Sequence, residues 1–182
     1  YNSYVTEDFF IKDLLTHRSG MGEGAGDLMG WPDSAMFTAD EIIHNLRYLK
    51  QASSFRTRYD YDNLLYIVAG EVVKRVSGQS WEEFAESRIM KPLGMNESAA
   101  SFRRIKDLTN IIDAHVMVDG RLKVVPKQEA KRHNSVGGIY SNVSDMSKWV
   151  ILQLSRGRYG SSPVEKIFSE EAHREMWTPQ TV

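Results

Sequence analysis

Apolar positions recur at helical spacing through most of the chain. In TADEIIHNLRYL, Thr38 to Leu49, acids fill the first turn and Ile42, Ile43, Leu46 and Leu49 fall on one stripe, which predicts an amphipathic helix. Leu64 to Val76 is apolar nearly all round, as expected of a helix running through a core, and Ser77-Gly78 stops it with Gly78 as a left-handed C-cap. Ser80, with Glu83 three residues on, forms a capping box that starts WEEFAESRIM, and Lys91-Pro92-Leu93-Gly94 ends it. Thr6, followed by Glu7, Asp8 and FFIKDLLTH, predicts a capped helix ending at Ser19-Gly20. Near the other end, Ser144 or Asp145 opens MSKWVILQLSR, which stops at Gly157, and Ser169 opens SEEAHREMW before Pro179.

Period-two alternation is confined to HVMVDGRLKVV, where Asp119-Gly120 at the turn predicts a β-hairpin near residues 115 to 125. The glycine stretch GMGEGAGDLMG matches neither G-x-G-x-x-G nor G-x-x-x-x-G-K-[ST], so it reads as a mobile loop rather than a phosphate cradle. Gly137 and Gly138 mark a tight backbone passage. The expected architecture is mostly α with a small β-hairpin, in a single domain spanning residues 1–182 with no internal repeat and no linker.

Composition narrows the function classes. At 182 residues and 41% hydrophobic, the chain is long enough for one real core. With 23 Lys and Arg against 24 Asp and Glu, the net charge of -1 gives no basic field for nucleic acid or an anionic membrane. The most basic region, Arg103, Arg104, Lys106, Arg121, Lys123, Lys127, Lys131 and Arg132, is interspersed with Asp107, Asp113, Asp119 and Glu129 and reads as a solvated face. Zero cysteines exclude disulfides, thiolate metal sites and a cysteine nucleophile. His17, His44, His115, His133 and His173 form no H-x-x-x-H or H-E-x-x-H pattern, so no metal and no cofactor is expected. No apolar run reaches the roughly 20 residues of a membrane span. The sequons at Asn96 and Asn142 are discounted as chance triplets.

Chemistry concentrates in RYDYDN, Arg58 to Asn63, which sits against the start of the apolar run LLYIVAGEVV. Two readings stand: Asp62 or Asn63 caps the helix at Leu64, or Tyr61 and Asn63 belong to an active site. Both hold at once if the helix start fixes the motif. An extended lead-in puts Asn63 on the same side as Tyr61. Its amide both donates and accepts. Tyr59 and Asp60 read as lead-in and surface.

Four blocks together resemble the serine β-lactamase-related hydrolases, which include class C β-lactamases, D-Ala-D-Ala peptidases and related esterases. LLTHRSGM at Leu14 to Met21 is similar to that family's L-L-T-H-x-S-G segment. Tyr61-Asp62-Asn63 followed by LLYIVAGEVVKRVSGQSWEEF resembles its Tyr-x-Asn motif and the helix behind it. IMKPLGM at Ile89 to Met95 resembles its P-L-G-M turn, and SVGGIYSNVSDMSKWV at Ser135 to Val150 its Gly-Gly segment and Ser-x-x-Asp-Met helix start. The resemblance implies the helical portion of an α/β β-lactamase/transpeptidase-like fold. It also implies an acyl-serine mechanism in which a Ser-x-x-Lys serine attacks a carbonyl, and the lysine and motif tyrosine manage protons. On this basis Tyr61 is the candidate catalytic residue and Asn63 the candidate substrate-binding residue, holding a lysine and a substrate carbonyl. The partner is then a small-molecule, peptide or ester substrate, and relatives commonly act outside the bacterial cytoplasm.

Two parts of that site are missing from the sequence. No Ser-x-x-Lys occurs: Ser87 to Lys91, Ser144 to Lys148 and Ser162 to Lys166 are one residue too long, which turns the lysine by about 100° on a helix. K-T-G and H-x-G are also absent. The resemblance places the nucleophile helix before Tyr1 and the third motif after Val182, so the chain alone is expected to be inactive and to expose an apolar face prone to self-association. The middle motif residue, usually small or serine in relatives, is Asp62, and negative charge there raises a neighbouring phenol's pKa. A peptidase or esterase fits this at least as well as β-lactam turnover. From another class, a helical binding or scaffold module that keeps the fold without the chemistry is the alternative.

Overall fold

The computed structural model of the chain describes residues 2–31, 37–127 and 134–180. It is mostly helical with small antiparallel β elements. Helix α3, Leu64–Ser77, is the spine: its apolar residues Leu64, Leu65 and Ile67 are buried, and Gly78 ends it at φ 72. Around it pack α2 (Ala39–Asn45), α4 (Trp81–Ala85) and α5 (Asn134–Gly137). One cluster joins Ile42, Leu64 and Ile67 to Met29, Leu46, Leu49 and Val136; a second joins Ala85, Met90, Met95 and Ala100 to Trp81, Leu93 and Trp149.

Local sequence explains these starts and stops. Thr38 and Ser80 each accept a bond from the backbone N–H three residues on, while Glu41 and Glu83 reach back to them, so both capping boxes form. A π turn, Glu86–Met90, follows α4 and leads into the Pro92-Leu93-Gly94 turn. The hairpin pairs β1 (Ala114–Val118) with β2 (Arg121–Val125), with Asp119 and Gly120 both at positive φ in the two-residue turn. Gly70 has no side chain to keep α5 away: a Cβ there would lie 2.6 Å from Ser135 Oγ.

Three expectations are corrected. The first helix, α1, covers only Ser3–Asp8, capped by Asn2, and the helix expected through FFIKDLLTH is reduced to a 3-10 turn at Ile11–Leu14. The cause is Asp13, whose buried carboxylate accepts from Phe10 N–H at 2.8 Å and pairs with Arg56 at 2.6 Å. Such a side-chain bond competes with helical propagation. Helix α6, Val143–Leu154, is capped by Asn142, not by Ser144 or Asp145. Asp145 is instead buried and bonded to Lys148, Ser98 Oγ and Glu97 N–H, tying α6 to the P-L-G-M turn. The short pair β3 (Arg158–Tyr159) and β4 (Glu165–Lys166) was not anticipated, since two-residue strands carry no alternation. Helix α7, Glu170–Trp177, starts at the expected cap Ser169.

The basic region is spread among partners: Arg104 pairs with Glu86, Lys127 with Asp113, and Lys106 donates to Asn96 O. Lys131, Arg132, Glu129 and His133 lie outside the described residues. Helix α6 presents Val143, Val150, Ile151 and Leu154 to solvent, and the hairpin presents Met117, Leu122 and Val124. Among the described residues no helix is long and apolar enough to cross a membrane.

Candidate active site

The Arg58 to Asn63 segment is stitched to two other parts of the chain. His17 O accepts from Asp60 N–H at 2.8 Å, and His17 Nδ1 accepts from Asp62 N–H at 3.1 Å. The glycine stretch also reaches the motif, Gly24 N–H donating to Tyr61 O at 2.8 Å. Tyr66 Oη donates to Leu15 O at 2.9 Å, so α3 itself is tied to the segment before His17. The stretch expected to be a mobile loop is thus bonded to the motif through turns that hold Gly20, Gly22, Gly24 and Gly26 at positive φ.

Gly20 and Gly26 are the tightest of these positions, and Gly26 packs against the spine. At φ 77 its absent Cβ would lie 2.5 Å from Leu64 Cδ1 and 2.8 Å from Met29 Cε. Gly26→Ala is therefore expected to cost about 1–2 kcal/mol from the left-handed backbone alone, with side-chain clash added. A thermal melt matching the parent would refute this.

The five residues from Tyr59 to Asn63 have different environments. Tyr61 is 46% exposed and its ring lies 4.5 Å from that of His17. Asn63 has helical dihedrals at the N-cap position and makes no cap bond; its Nδ2 donates to both Asp27 carboxylate oxygens at 3.3 Å. Asp62 is the cap: fully buried, it accepts from Leu64 N–H through Oδ1 at 2.9 Å, while its buried Oδ2 has no partner. Burial, with Asp27 adding to it, pushes the Asp62 carboxyl up to about 6 against the bonds from Leu64 and Leu65 N–H. Asp60, expected at the surface, is buried. Arg58 forks onto it at 2.5 to 2.9 Å and Ser53 Oγ donates at 2.9 Å, holding its carboxyl below the usual range. Tyr59 is exposed as expected.

Sequence patterns did not single out His17 and Asp27 as neighbours of the motif. His17 lies inside the L-L-T-H-x-S-G block, so its signal was present; Asp27 sits in a glycine stretch that carries none. A cavity of about 1010 Å³ opens beside Leu14, Leu46, Leu49 and Leu65, but neither Tyr61 nor Asn63 lines it, so it is not part of this site.

A helical bundle that presents a Tyr-x-Asn turn at the start of its spine helix defines the helical portion of the β-lactamase/transpeptidase-like fold. Solved structures agree. An octameric penicillin-binding protein homologue from Pyrococcus abyssi is 27% identical at a TM-score of 0.74, covering 93% of this chain and 38% of that one. A D-amino acid amidase from Ochrobactrum anthropi SV3, at 20% identity and a TM-score of 0.68, shares the fold over 92% of this chain and 46% of that one. The family model described as Beta-lactamase matches residues 3–182, and the chain belongs to that family of serine hydrolases. Among curated relatives, the unguisins hydrolase ungD' of Aspergillus campestris is 26% identical over 188 residues, covering 100% of this chain and 33% of that protein. The related ungD of Aspergillus violaceofuscus is 29% identical over 154 residues, covering 80% of this chain and 27% of that protein. The chain thus spans about a third of these relatives.

Proposed function

We propose that residues 1–182 form the central, largely helical segment of a serine hydrolase that cleaves an amide or ester through an acyl-serine intermediate. Tyr61 moves protons and Asn63 holds the substrate carbonyl. The observation that carries this reading is the motif turn itself: Tyr61 is presented at the surface while its backbone is bonded on both sides, to the His17 segment and to the glycine stretch. A residue that acts on a bound substrate needs an exposed reactive atom on a fixed frame. The relatives named as unguisins hydrolases support a hydrolytic reading.

Asn63 Nδ2 is engaged by Asp27 here, so a substrate carbonyl that accepts from this amide competes with the 3.3 Å contact, whereas a lysine would donate to Oδ1, which the contact does not use. The test is the reading frame upstream of Tyr1, followed by assay of the protein it encodes on p-nitrophenyl esters. A Ser-x-x-Lys whose serine becomes acylated supports the hydrolase. An immediate start codon sinks it in favour of the binding or scaffold module.

The exposed apolar residues of α6 support self-association of the chain by itself. Sedimentation is expected to show mass rising with concentration; a strictly monomeric species at high concentration would refute this.

A further inference from the structure

We propose that His17 is a positioning residue for the Tyr61-Asp62-Asn63 turn, acting through its unprotonated Nδ1 as the acceptor that fixes the Asp62 backbone. The inference rests on the hydrolase reading for its catalytic meaning and on geometry for everything else.

His17 is 9% exposed, and the segment around it holds the turn at two points: the backbone O takes Asp60 N–H and ring Nδ1 takes Asp62 N–H. Those two amides flank Tyr61, so His17 sets the backbone on either side of the candidate catalytic residue. The ring face also abuts the phenols: its centroid is 4.5 Å from that of Tyr61 and 5.3 Å from those of Tyr59 and Tyr66. Its own backbone is at φ 54, a left-handed conformation that costs a β-carbon residue energy and directs the imidazole into the turn.

The tautomer follows from the bond. An N–H donor aimed at Nδ1 requires a lone pair there, so the ring proton sits on Nε2. Burial holds the imidazole below its ordinary pKa, which keeps Nδ1 bare at neutral pH. Asp62 cannot find another partner for its amide without moving: it is fully buried, and its side chain is committed through Oδ1 to Leu64 N–H. If the His17 acceptor is lost, the Asp62 N–H is left buried and unpaired, and the turn must open to hydrate it.

Two variants isolate the acceptor from backbone strain. His17→Asn keeps a carbonyl oxygen near the place of Nδ1 and tolerates left-handed φ; His17→Gly tolerates it too but has no acceptor. Both lose the ring, so any difference between them reports the hydrogen bond. Amide exchange of Asp62, referenced to Ala69 and Val72 within α3, is expected to accelerate tenfold or more in His17→Gly and to stay within threefold of the parent in His17→Asn. Long-range proton–nitrogen correlation of the parent is expected to show Nδ1 bare and Nε2 protonated at pH 7.5.

Equal Asp62 exchange in the two variants overturns the proposal, and so does a parent ring protonated on Nδ1. Should α3 amides accelerate together with Asp62 in His17→Gly, the tautomer of the parent decides. Neither readout depends on turnover, so a failure here is distinct from a failure of the hydrolase reading.

Discussion

In a form of the protein that carries a Ser-x-x-Lys serine, Tyr61→Phe is expected to lower kcat by about 10²–10⁴-fold, the range typical of a positioned acid–base group. The substitution removes one oxygen from a side chain that is 46% exposed and whose backbone is held from both sides, so the fold should not change. A phenol with a pKa of about 10 needs roughly 4 kcal/mol to ionise readily at pH 7. One ammonium about 4 Å away, at an effective dielectric near 20, supplies on the order of 4 kcal/mol before desolvation opposes it. The sequence of 182 residues contains no Ser-x-x-Lys to provide either that ammonium or a nucleophile. Accordingly the chain alone should leave p-nitrophenyl esters and a chromogenic β-lactam at background. Saturable turnover by the isolated chain, abolished in Tyr61→Phe, would contradict the proposed division of labour. Unchanged kcat in the acylating form would remove Tyr61 from the mechanism.

The second large effect concerns Asp62. Its carboxyl in the folded chain is raised from 3.8 to about 6, so the folded state holds this proton more tightly than the unfolded state does. A raised folded value contributes stability that is present below the unfolded value and lost as pH rises through the folded one. Ionising the buried group therefore costs roughly 3 kcal/mol by pH 7.5, from about two pH units at 1.36 kcal/mol each. Asp62→Ser keeps an oxygen to cap Leu64 N–H and cannot ionise. Whatever its fixed offset from lost packing, its stability relative to the parent is expected to improve by about 2–3 kcal/mol between pH 4 and pH 7.5. His17 titrates in both proteins, so its opposing contribution, a buried neutral imidazole that favours folding as pH rises, largely cancels in the comparison. Chemical denaturation at the two pH values checks this, and a difference independent of pH would show that Asp62 ionises as freely folded as unfolded.

That result also bears on the chemistry. A carboxylate at the middle of the Tyr-x-Asn motif was expected to disfavour ionisation of the tyrosine beside it. In the fold the Asp62 carboxyl is turned to the helix start, where two backbone N–H groups offset part of its charge, while burial and Asp27 oppose ionisation. Removing it should thus change stability through the helix start.

Capping chemistry was legible where it was local. Ser80 with Glu83, Ser169 and Gly78 act at the positions their spacing assigned, because each bond closes within one turn of the chain. Asp119-Gly120 was legible for the same reason, since a two-residue turn needs positive φ at both positions. The differences fall on carboxylates that the fold buries against charged and hydroxyl partners. Asp13 turned from helix interior to 3-10 cap because Arg56, 43 residues on, pairs with it; Asp60 turned from surface to interior because Ser53 and Arg58 fold over it; Asp145 gave up its expected capping role to Ser98 and Lys148. An acid in isolation is read as exposed, since burying it unpaired is costly, and only a partner brought up in three dimensions makes the interior accessible to it.

By itself, then, the sequence determined the helical class, the apolar spine at Leu64–Ser77, the hairpin and the family, and it singled out Tyr61 and Asn63 as candidates, all carried by short-range periodicity or contiguous motifs. Only the tertiary structure decided that Asp62 rather than Asn63 caps the spine, that Asn63 meets Asp27 across 36 residues, and that His17 braces the turn across 45. The Asn63–Asp27 and His17–Asp62 contacts are hydrogen bonds between groups far apart in the chain. Their existence depends on which helices pack together, and a residue pattern read along one dimension carries no such term.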